Sequence, residues 1–233
     1  MRVSAIIAAA GSGTRLGYAQ PKAFVELGNL PLLYYSMRTL RGVADVVEVI
    51  VTLPPGKEAD ARLAAERAGL RVPLKLTQGG AERQDSVRTA LALTNAGSSV
   101  VVIHDAARPF AAAGLFRACI EAAARSGGAI AAIPVADTLK KSAQSIITAT
   151  VAREGLYAAQ TPQAFIRDLL LAAHACASQA APATDDACLV ERIGGKVEIV
   201  PGSTLNFKIT TPEDLLVARA LAASDQILSG IFD

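Results

Sequence analysis

The chain has 233 residues, 52% of them hydrophobic, and its 23 lysines and arginines nearly balance 21 aspartates and glutamates. A chain of this length buries on the order of 70% of the surface that it exposes when unfolded, so the composition indicates a folded protein and excludes a disordered one. The net charge of +2 gives no general electrostatic reason to expect nucleic acid or an anionic membrane as a partner. Any anion-binding site must therefore be local.

The first residues have two interpretations, a signal peptide or a strand. One arginine precedes an apolar stretch and small residues follow, as in a secretory signal, but the stretch is short enough to be a strand and leads into a glycine-rich loop with cations. We favour the strand. No segment reaches the ~20 apolar residues of a membrane span. The cysteines at 119, 176 and 188 lack any paired spacing and are interpreted as small buried thiols, so we expect a cytoplasmic location.

Short apolar runs alternate with helical stretches along the chain. The runs cover residues 3–8, 46–52, 72–77, 100–104 and 129–135, and helical faces are predicted at 33–40, 115–123, 165–178 and 212–223. This alternation predicts an α/β fold, Rossmann-like, with a mostly parallel sheet flanked by helices. We expect a single domain over residues 1–233. In such sheets ligands bind at the carboxyl ends of the strands.

Residues 137–152 break this alternation, because polar residues mix with isoleucine, threonine and valine without a helical stripe. The pattern predicts a β-hairpin arm, placed within residues 137–156. A two-stranded hairpin is marginally stable alone, so we expect it to pack on something. Another subunit is the natural candidate.

The segment AAAGSGTRLG that follows the first run opens like a dinucleotide-binding loop. Its third glycine, Gly17, falls one position late, and no acidic residue ends the second run, so an NAD-dependent dehydrogenase is disfavoured. The glycines Gly11 and Gly13 let backbone amides approach phosphate oxygens, and Arg15 and Lys22 supply cations. The alternative is a tight turn with two solvated cations.

Two further segments follow predicted strands. In GGAERQDSV, the glycine pair and Ser86 suit recognition of a base, or else form a turn with Asp85 or Ser86 as a helix cap. In HDAARP, Asp105 suits a ribose or a metal, or else forms an internal ion pair with Arg108. The two histidines of the chain belong to no nucleophile arrangement, so we interpret both as structural and disfavour a hydrolase.

Taken in order, AAAGSGTRLG, PKAF, GGAERQDSV, HDAARP, AREGLYAAQTPQAF, ATDDA and NFKITTPEDL resemble the 2-C-methyl-D-erythritol 4-phosphate cytidylyltransferases over nearly the whole chain. The resemblance implies transfer of CMP from CTP to methylerythritol phosphate with Mg²⁺, releasing pyrophosphate, in the non-mevalonate route to isoprenoids. The alternatives are another polyol phosphate as acceptor, such as ribitol 5-phosphate, or a non-catalytic nucleotide-binding module.

The resemblance also implies roles for individual residues. The expected catalytic residues are Arg15, Lys22, Arg153 and Lys208. The expected nucleotide contacts are Ala9, Ala10, Gly11, Gly13, Gly80, Ser86, Asp105 and Ala106, of which Asp105 is also a possible metal contact. The expected acceptor contacts are Arg108, Thr138, Arg153, Thr161, Thr184 and Lys208. The arm is expected to clasp a second subunit in a homodimer, with Arg153 and Thr138 completing the partner's site.

Overall fold

The computed structural model describes residues 1–11, 13, 16–17, 20–177 and 183–223. In chain order its strands are β1 (Val3–Ala8), β2 (Glu26–Leu27), β3 (Leu30–Pro31), β4 (Val46–Leu53), β5 (Leu74–Gln78), β6 (Val100–Asp105), β7 (Gly128–Pro134), β8 (Leu139–Ala143), β9 (Ile146–Val151), β10 (Tyr157–Ile166) and β11 (Val197–Pro201). The helices are α1 (Leu32–Arg41), α2 (Glu58–Ala68), α3 (Arg83–Ala92), α4 (Ala113–Ser126), α5 (Arg167–Cys176), α6 (Asp186–Arg192) and α7 (Pro212–Ala222).

One large sheet organises the described part of the chain, with seven strands in the order β11-β7-β10-β6-β1-β4-β5. The pairs of β1 with β4 and β6, of β4 with β5 and of β11 with β7 are parallel, whereas β10 runs antiparallel to both of its neighbours. The α/β, Rossmann-like fold with a mostly parallel sheet is therefore confirmed.

The central strands are apolar on both faces because helices cover both sides of the sheet. Along β1, Ala5 and Ile7 pack into the core on one side and Ile6 packs into the core on the other. On the first side α1 begins directly after Pro31 and buries Leu33. Because β1, β4 and β6 run parallel, their carboxyl ends lie together at one edge of the sheet.

Some element boundaries differ from those predicted. Strands β10 and β11 were not predicted, and Phe165 and Ile166 end β10, so helix α5 begins at Arg167 and not at 165. Position 178, the predicted end of that helix, lies outside the described residues. The prediction of three buried thiols is also wrong, since Cys119 is buried but Cys176 is exposed and Cys188 lies between the two.

Strands β8 and β9 form the predicted hairpin, a separate antiparallel pair at residues 139–151. Its tip residues Gln144 and Ser145 both have positive φ angles, of 47° and 67°, which is the backbone form that a two-residue hairpin turn requires. Most of its side chains are exposed. Within the described ranges, no helix combines the length and apolar character that crossing a bilayer needs.

Candidate active site

A cleft of about 430 Å³ opens where β1, β4 and β6 end. Its walls come from the loop after β1, the turn before α3, the end of β6 and the segment before α7. The residues predicted from the sequence that line it are Ala9, Ala10, Gly11, Gly13, Lys22, Gly80, Ser86, Asp105, Ala106 and Lys208. The fold therefore brings together, in one cavity, residues that lie as much as 199 positions apart in the sequence.

Close backbone packing explains the glycines of two cleft segments. A Cβ on Gly13, whose φ is +71°, would lie 2.7 Å from the Cβ of Lys22, and one on Gly79 would lie 2.2 Å from the Cβ of Ala10. Side chains rarely adopt the first conformation and both spaces are already filled. Glycine at position 13 therefore lets the segment after β1 fold back on Lys22, and glycine at position 79 lets the turn before α3 pack against Ala10 of that segment.

The turn before α3 is fixed by the hydroxyl of Ser86. The Gly80 N–H donates to Ser86 Oγ at 3.0 Å, and that hydroxyl donates to the Glu82 carbonyl at 3.1 Å. Glu82 is the N-cap residue, and Asp85 completes the capping box by accepting from the Glu82 N–H. Ser86 is therefore not the helix cap, and it orders the glycine turn that faces the cleft.

Asp105, at the end of β6, sits between two cations. Its Oδ1 accepts from Arg83 Nε at 3.0 Å, and its Oδ2 accepts from Lys208 Nζ at 2.7 Å. Burial opposes ionisation, but these two cations hold the pKa of the Asp105 carboxyl well below its usual range. Arg108, also in the described part of the chain, does not form the ion pair considered above and donates to the Asn206 carbonyl at 2.8 Å.

Arg83 itself lines the cleft and extends this charge arrangement to Asp186, which does not line it. Its Nη1 donates to Asp186 Oδ2 at 2.7 Å, and His174 Nε2 lies 3.3 Å from the other oxygen of that carboxylate. Burial opposes the charge on Arg83, but Asp186 and Asp105 raise its pKa above the ordinary value. Sequence reasoning missed both Arg83 and Asp186. The only local signal was an arginine in the first turn of a helix after a glycine pair.

His104 is enclosed beside the cleft. Its Nδ1 lies 3.0 Å from Thr161 Oγ1 and its Nε2 lies 3.1 Å from the Arg108 carbonyl. Burial lowers its pKa to about 4, so the ring is neutral near pH 7. The Thr161 hydroxyl also accepts from the Asp105 N–H at 3.0 Å. This geometry agrees with the structural role predicted for His104.

The predicted acceptor residues, apart from Lys208, do not line the cleft as it is formed by the described residues. Thr161 is buried within β10, whereas Thr138, Arg153 and Thr184 are exposed, and Arg153 donates to the Ala136 carbonyl near the base of the arm. These roles, like those of the nucleotide contacts, stay predictions. The expected catalytic residue Arg15 lies outside the described residues.

No cluster of three or more potential metal-binding side chains occurs in the described ranges. Mg²⁺ is commonly held by one or two carboxylates together with substrate phosphates and water. Asp105 fits that limited role, because each carboxylate oxygen can accept more than one contact and each accepts a single cation here. Any Mg²⁺ in this cleft would depend on the phosphates of its ligand for most of its coordination.

The sequence profile of the 2-C-methyl-D-erythritol 4-phosphate cytidylyltransferase family matches residues 3–224. Enzymes of that name from Pelotomaculum thermopropionicum and Deinococcus radiodurans are 42% and 48% identical to the chain; the alignments cover 97% and 94% of it and 96% and 89% of the relatives. The crystal structure of the Thermus thermophilus enzyme has a TM-score of 0.81 at 39% identity, covering 96% of this chain and all of that one. Sequence, fold and the assembled cleft agree, and the chain belongs to the 2-C-methyl-D-erythritol 4-phosphate cytidylyltransferase family.

Proposed function

We propose that the protein transfers CMP from CTP to 2-C-methyl-D-erythritol 4-phosphate, giving 4-diphosphocytidyl-2-C-methyl-D-erythritol and pyrophosphate. The observation that carries the proposal is the convergence in one cleft of the glycine loop, the Gly80–Ser86 turn, Asp105 and the cations Lys22 and Lys208. Each of these lies on a different part of the chain. The names of the family and of its relatives supply the substrates.

In the transfer, an oxygen of the acceptor phosphate attacks the α-phosphorus of CTP. The bond from that phosphorus to the bridging oxygen of the β-phosphate breaks, and its electrons leave with pyrophosphate. Negative charge grows on the α-phosphate and on the departing group, so fixed cations stabilise the transition state more than the ground state. Lys22 lines the cleft beside Gly13 and is proposed to supply one such cation, with Arg15 as a second.

The acceptor needs no general base. A phosphate monoester loses its second proton with a pKa of about 6, so the attacking oxygen is already ionised near neutral pH. The neutral, enclosed His104 agrees with this chemistry, because both of its ring nitrogens already have partners in the protein. The protein's part is to bind, orient and neutralise charge.

Binding of the nucleoside is assigned to the walls of the cleft. Backbone groups of Ala9, Ala10 and Gly80 and the turn held by Ser86 would contact the cytosine, and Asp105 with Ala106 would contact the ribose. Buried polar groups left unpaired cost roughly 1–3 kcal/mol each, which is how such a wall rejects a base with mismatched edges. Mg²⁺, when bound with the triphosphate, would neutralise phosphate charge, and Asp105 would be its protein contact.

The arm is proposed to join two subunits. Ile146 and Ile147 on β9 are 70% and 62% exposed, and no other described element packs extensively against either arm strand. Exposed apolar side chains on a hairpin that is marginal alone favour a partner surface. In the homodimer, Arg153 and Thr138 of one protomer would complete the acceptor site of the other. A cytoplasmic location stays a prediction from the sequence.

An acceptor panel tests the activity. Methylerythritol 4-phosphate, ribitol 5-phosphate and glycerol 3-phosphate are each incubated with CTP or UTP, with and without Mg²⁺, and pyrophosphate release is measured. We expect release with CTP, methylerythritol phosphate and Mg²⁺. If ribitol 5-phosphate is turned over faster than methylerythritol phosphate, the proposed acceptor is wrong and a polyol phosphate of that kind takes its place. If calorimetry shows that CTP binds but no acceptor is turned over, the protein is a nucleotide-binding module and not an enzyme.

A further inference from the structure

The first turn of α3 contacts two parts of the molecule that the proposed function assigns to different substrates. On one side Arg83 Nε donates to Asp105 Oδ1 at 3.0 Å, and Asp105 lines the nucleotide cleft. On the other side Arg83 Nη1 donates to Asp186 Oδ2 at 2.7 Å. One planar guanidinium therefore joins two carboxylates that lie 81 positions apart in the sequence.

The segment 183–186 that includes Asp186 has further bonds to α3 and β10. The Ala183 N–H donates to Gln84 Oε1 at 3.0 Å, next to Arg83 in the same helical turn. From β10, Gln163 accepts from the Asp186 N–H at 3.2 Å and donates to Asp185 at 2.9 Å. The segment is thus fixed relative to α3, and it includes Thr184, whose exposed side chain is an expected acceptor contact.

Alternative partners for the two carboxylates are few. Asp105 has Lys208 on its second oxygen, and Asp186 has His174. The side chain of Asp186 is 1% exposed, so losing Arg83 would leave a buried negative charge without its strongest partner, which proteins avoid by rearranging. A lysine could meet one carboxylate but not both, because its charge is a point and that of arginine is a rigid planar fork.

We propose that Arg83 is a positioning residue, which sets the Asp105 carboxylate and the segment 183–186 in one fixed relation. The proposal rests on the proposed function for the identity of the two substrates. A residue that contacts one substrate directly affects mainly the KM of that substrate. Arg83, acting through both of its carboxylates, must affect the KM of CTP and the KM of the acceptor together.

A double-mutant cycle between Arg83 and Asp186 tests this relation. Asp186 does not line the described cleft, and its bond to Arg83 is the contact that leads to Asp105, so we expect Asp186→Asn to affect CTP by releasing Arg83. We expect Asp186→Asn to lower kcat/KM for both CTP and acceptor by roughly tenfold, equivalent to about 1.4 kcal/mol. In an Arg83→Gln background the same substitution should cause no further loss, because the pair is already broken. The Arg83→Lys variant should bind CTP more tightly than the Arg83→Gln variant. Adding Asp186→Asn to Arg83→Lys should not weaken CTP binding further.

Arg88→Gln is the matched control, because Arg88 lies on the same helix and, among the described residues, forms its ion pair with Asp85, one turn away on the surface. It should change neither KM, and circular dichroism with thermal melting checks that every variant folds. Additive effects of the two substitutions, or an Asp186→Asn variant with a lower melting temperature but unchanged KM values, would overturn the proposal.

The experiment also separates this proposal from the proposed function. Calorimetric titration with CTP needs no turnover, so it measures how each variant changes CTP affinity even if no acceptor is converted. Absence of turnover in the parent protein would reject the proposed reaction. Unchanged CTP affinity in Asp186→Asn, with the parent protein active, would reject Arg83 as the link.

Discussion

Gly13 and Lys22 lie so close that an alanine at position 13 would place its Cβ 2.7 Å from the Cβ of the lysine. The left-handed backbone at Gly13, with φ of +71°, adds a second reason for glycine. The position of the cation in the cleft therefore depends on the absence of a side chain at residue 13.

We expect Gly13→Ala to lower kcat/KM for CTP by at least about tenfold, or about 1.4 kcal/mol, because the lysine and the loop must move apart. Steady-state kinetics measures the change. Gly114→Ala in α4 is the control, since outside its own helix backbone the nearest described atom to a Cβ there is the end of a flexible arginine, at 3.8 Å. Equal kinetics in the two alanine variants would show that Gly13 does not position the lysine.

Lys22→Ala should lower kcat by at least tenfold, about 1.4 kcal/mol of transition-state stabilisation, while circular dichroism stays unchanged. Single-turnover measurement of CMP transfer separates this effect from weaker binding. Lys196→Ala removes an exposed lysine before β11 and should match the parent protein. A Lys22→Ala enzyme with the parent kcat would remove this lysine from the mechanism.

The enclosed His104 predicts a dependence of stability on pH. Its pKa is about 4 in the folded protein and 6.5 as a free side chain, so below pH 6.5 the unfolded chain binds a proton that the folded protein does not. The stability contribution is complete above pH 6.5 and falls as pH drops towards 4, by roughly 3 kcal/mol in total. Urea unfolding between pH 7 and 4 should show a shallower decline for His104→Gln, and parallel declines would contradict the assignment.

Charge placed on the arm should disrupt assembly. Ile146→Lys with Ile147→Lys is expected to convert a dimer into monomers in sedimentation equilibrium, because burying lysines in an apolar contact is unfavourable. Leu216→Lys on α7 is the matched control, since Leu216 and Ile146 are each 70% exposed. If the dimer persists in the arm variant but dissociates in the Leu216→Lys variant, the interface lies at α7 and not at the arm.

The sequence predicted β1, β4, β5, β6 and β7 and the cleft segments because both have local signatures, continuous apolar runs and glycines after them. Strand β10 was missed because it buries Gln160, Thr161 and Gln163, whose polar side chains conceal a strand pattern. Their partners are distant in sequence: Gln160 donates to the Ser203 carbonyl and Gln163 donates to Asp185. No local pattern of residues encodes such pairings.

The same reason explains the missed charge pairs. From spacing alone Asp105 had Arg108 as its nearest cation, three positions away, but the fold supplies Arg83 and Lys208 from 22 positions before it and 103 after it. Which of these cations pairs with Asp105 depends on how the strands and helices pack around the sheet, and that packing is a tertiary property. The sequence could therefore identify Asp105 as a site residue, but only the structure could assign its ion-pair partners.

The arrangement around Asp105 has a consequence for how the rate should follow acidity. Asp105, Arg83 and His104 all have pKa values displaced away from neutrality, so none of these three changes its charge between about pH 6 and pH 8. Titration of the incoming phosphate, with its second proton lost near pH 6, then dominates the acid limb of the rate profile. That limb should shift when the acceptor is replaced by one of different acidity and stay in place when the neighbouring side chains are altered.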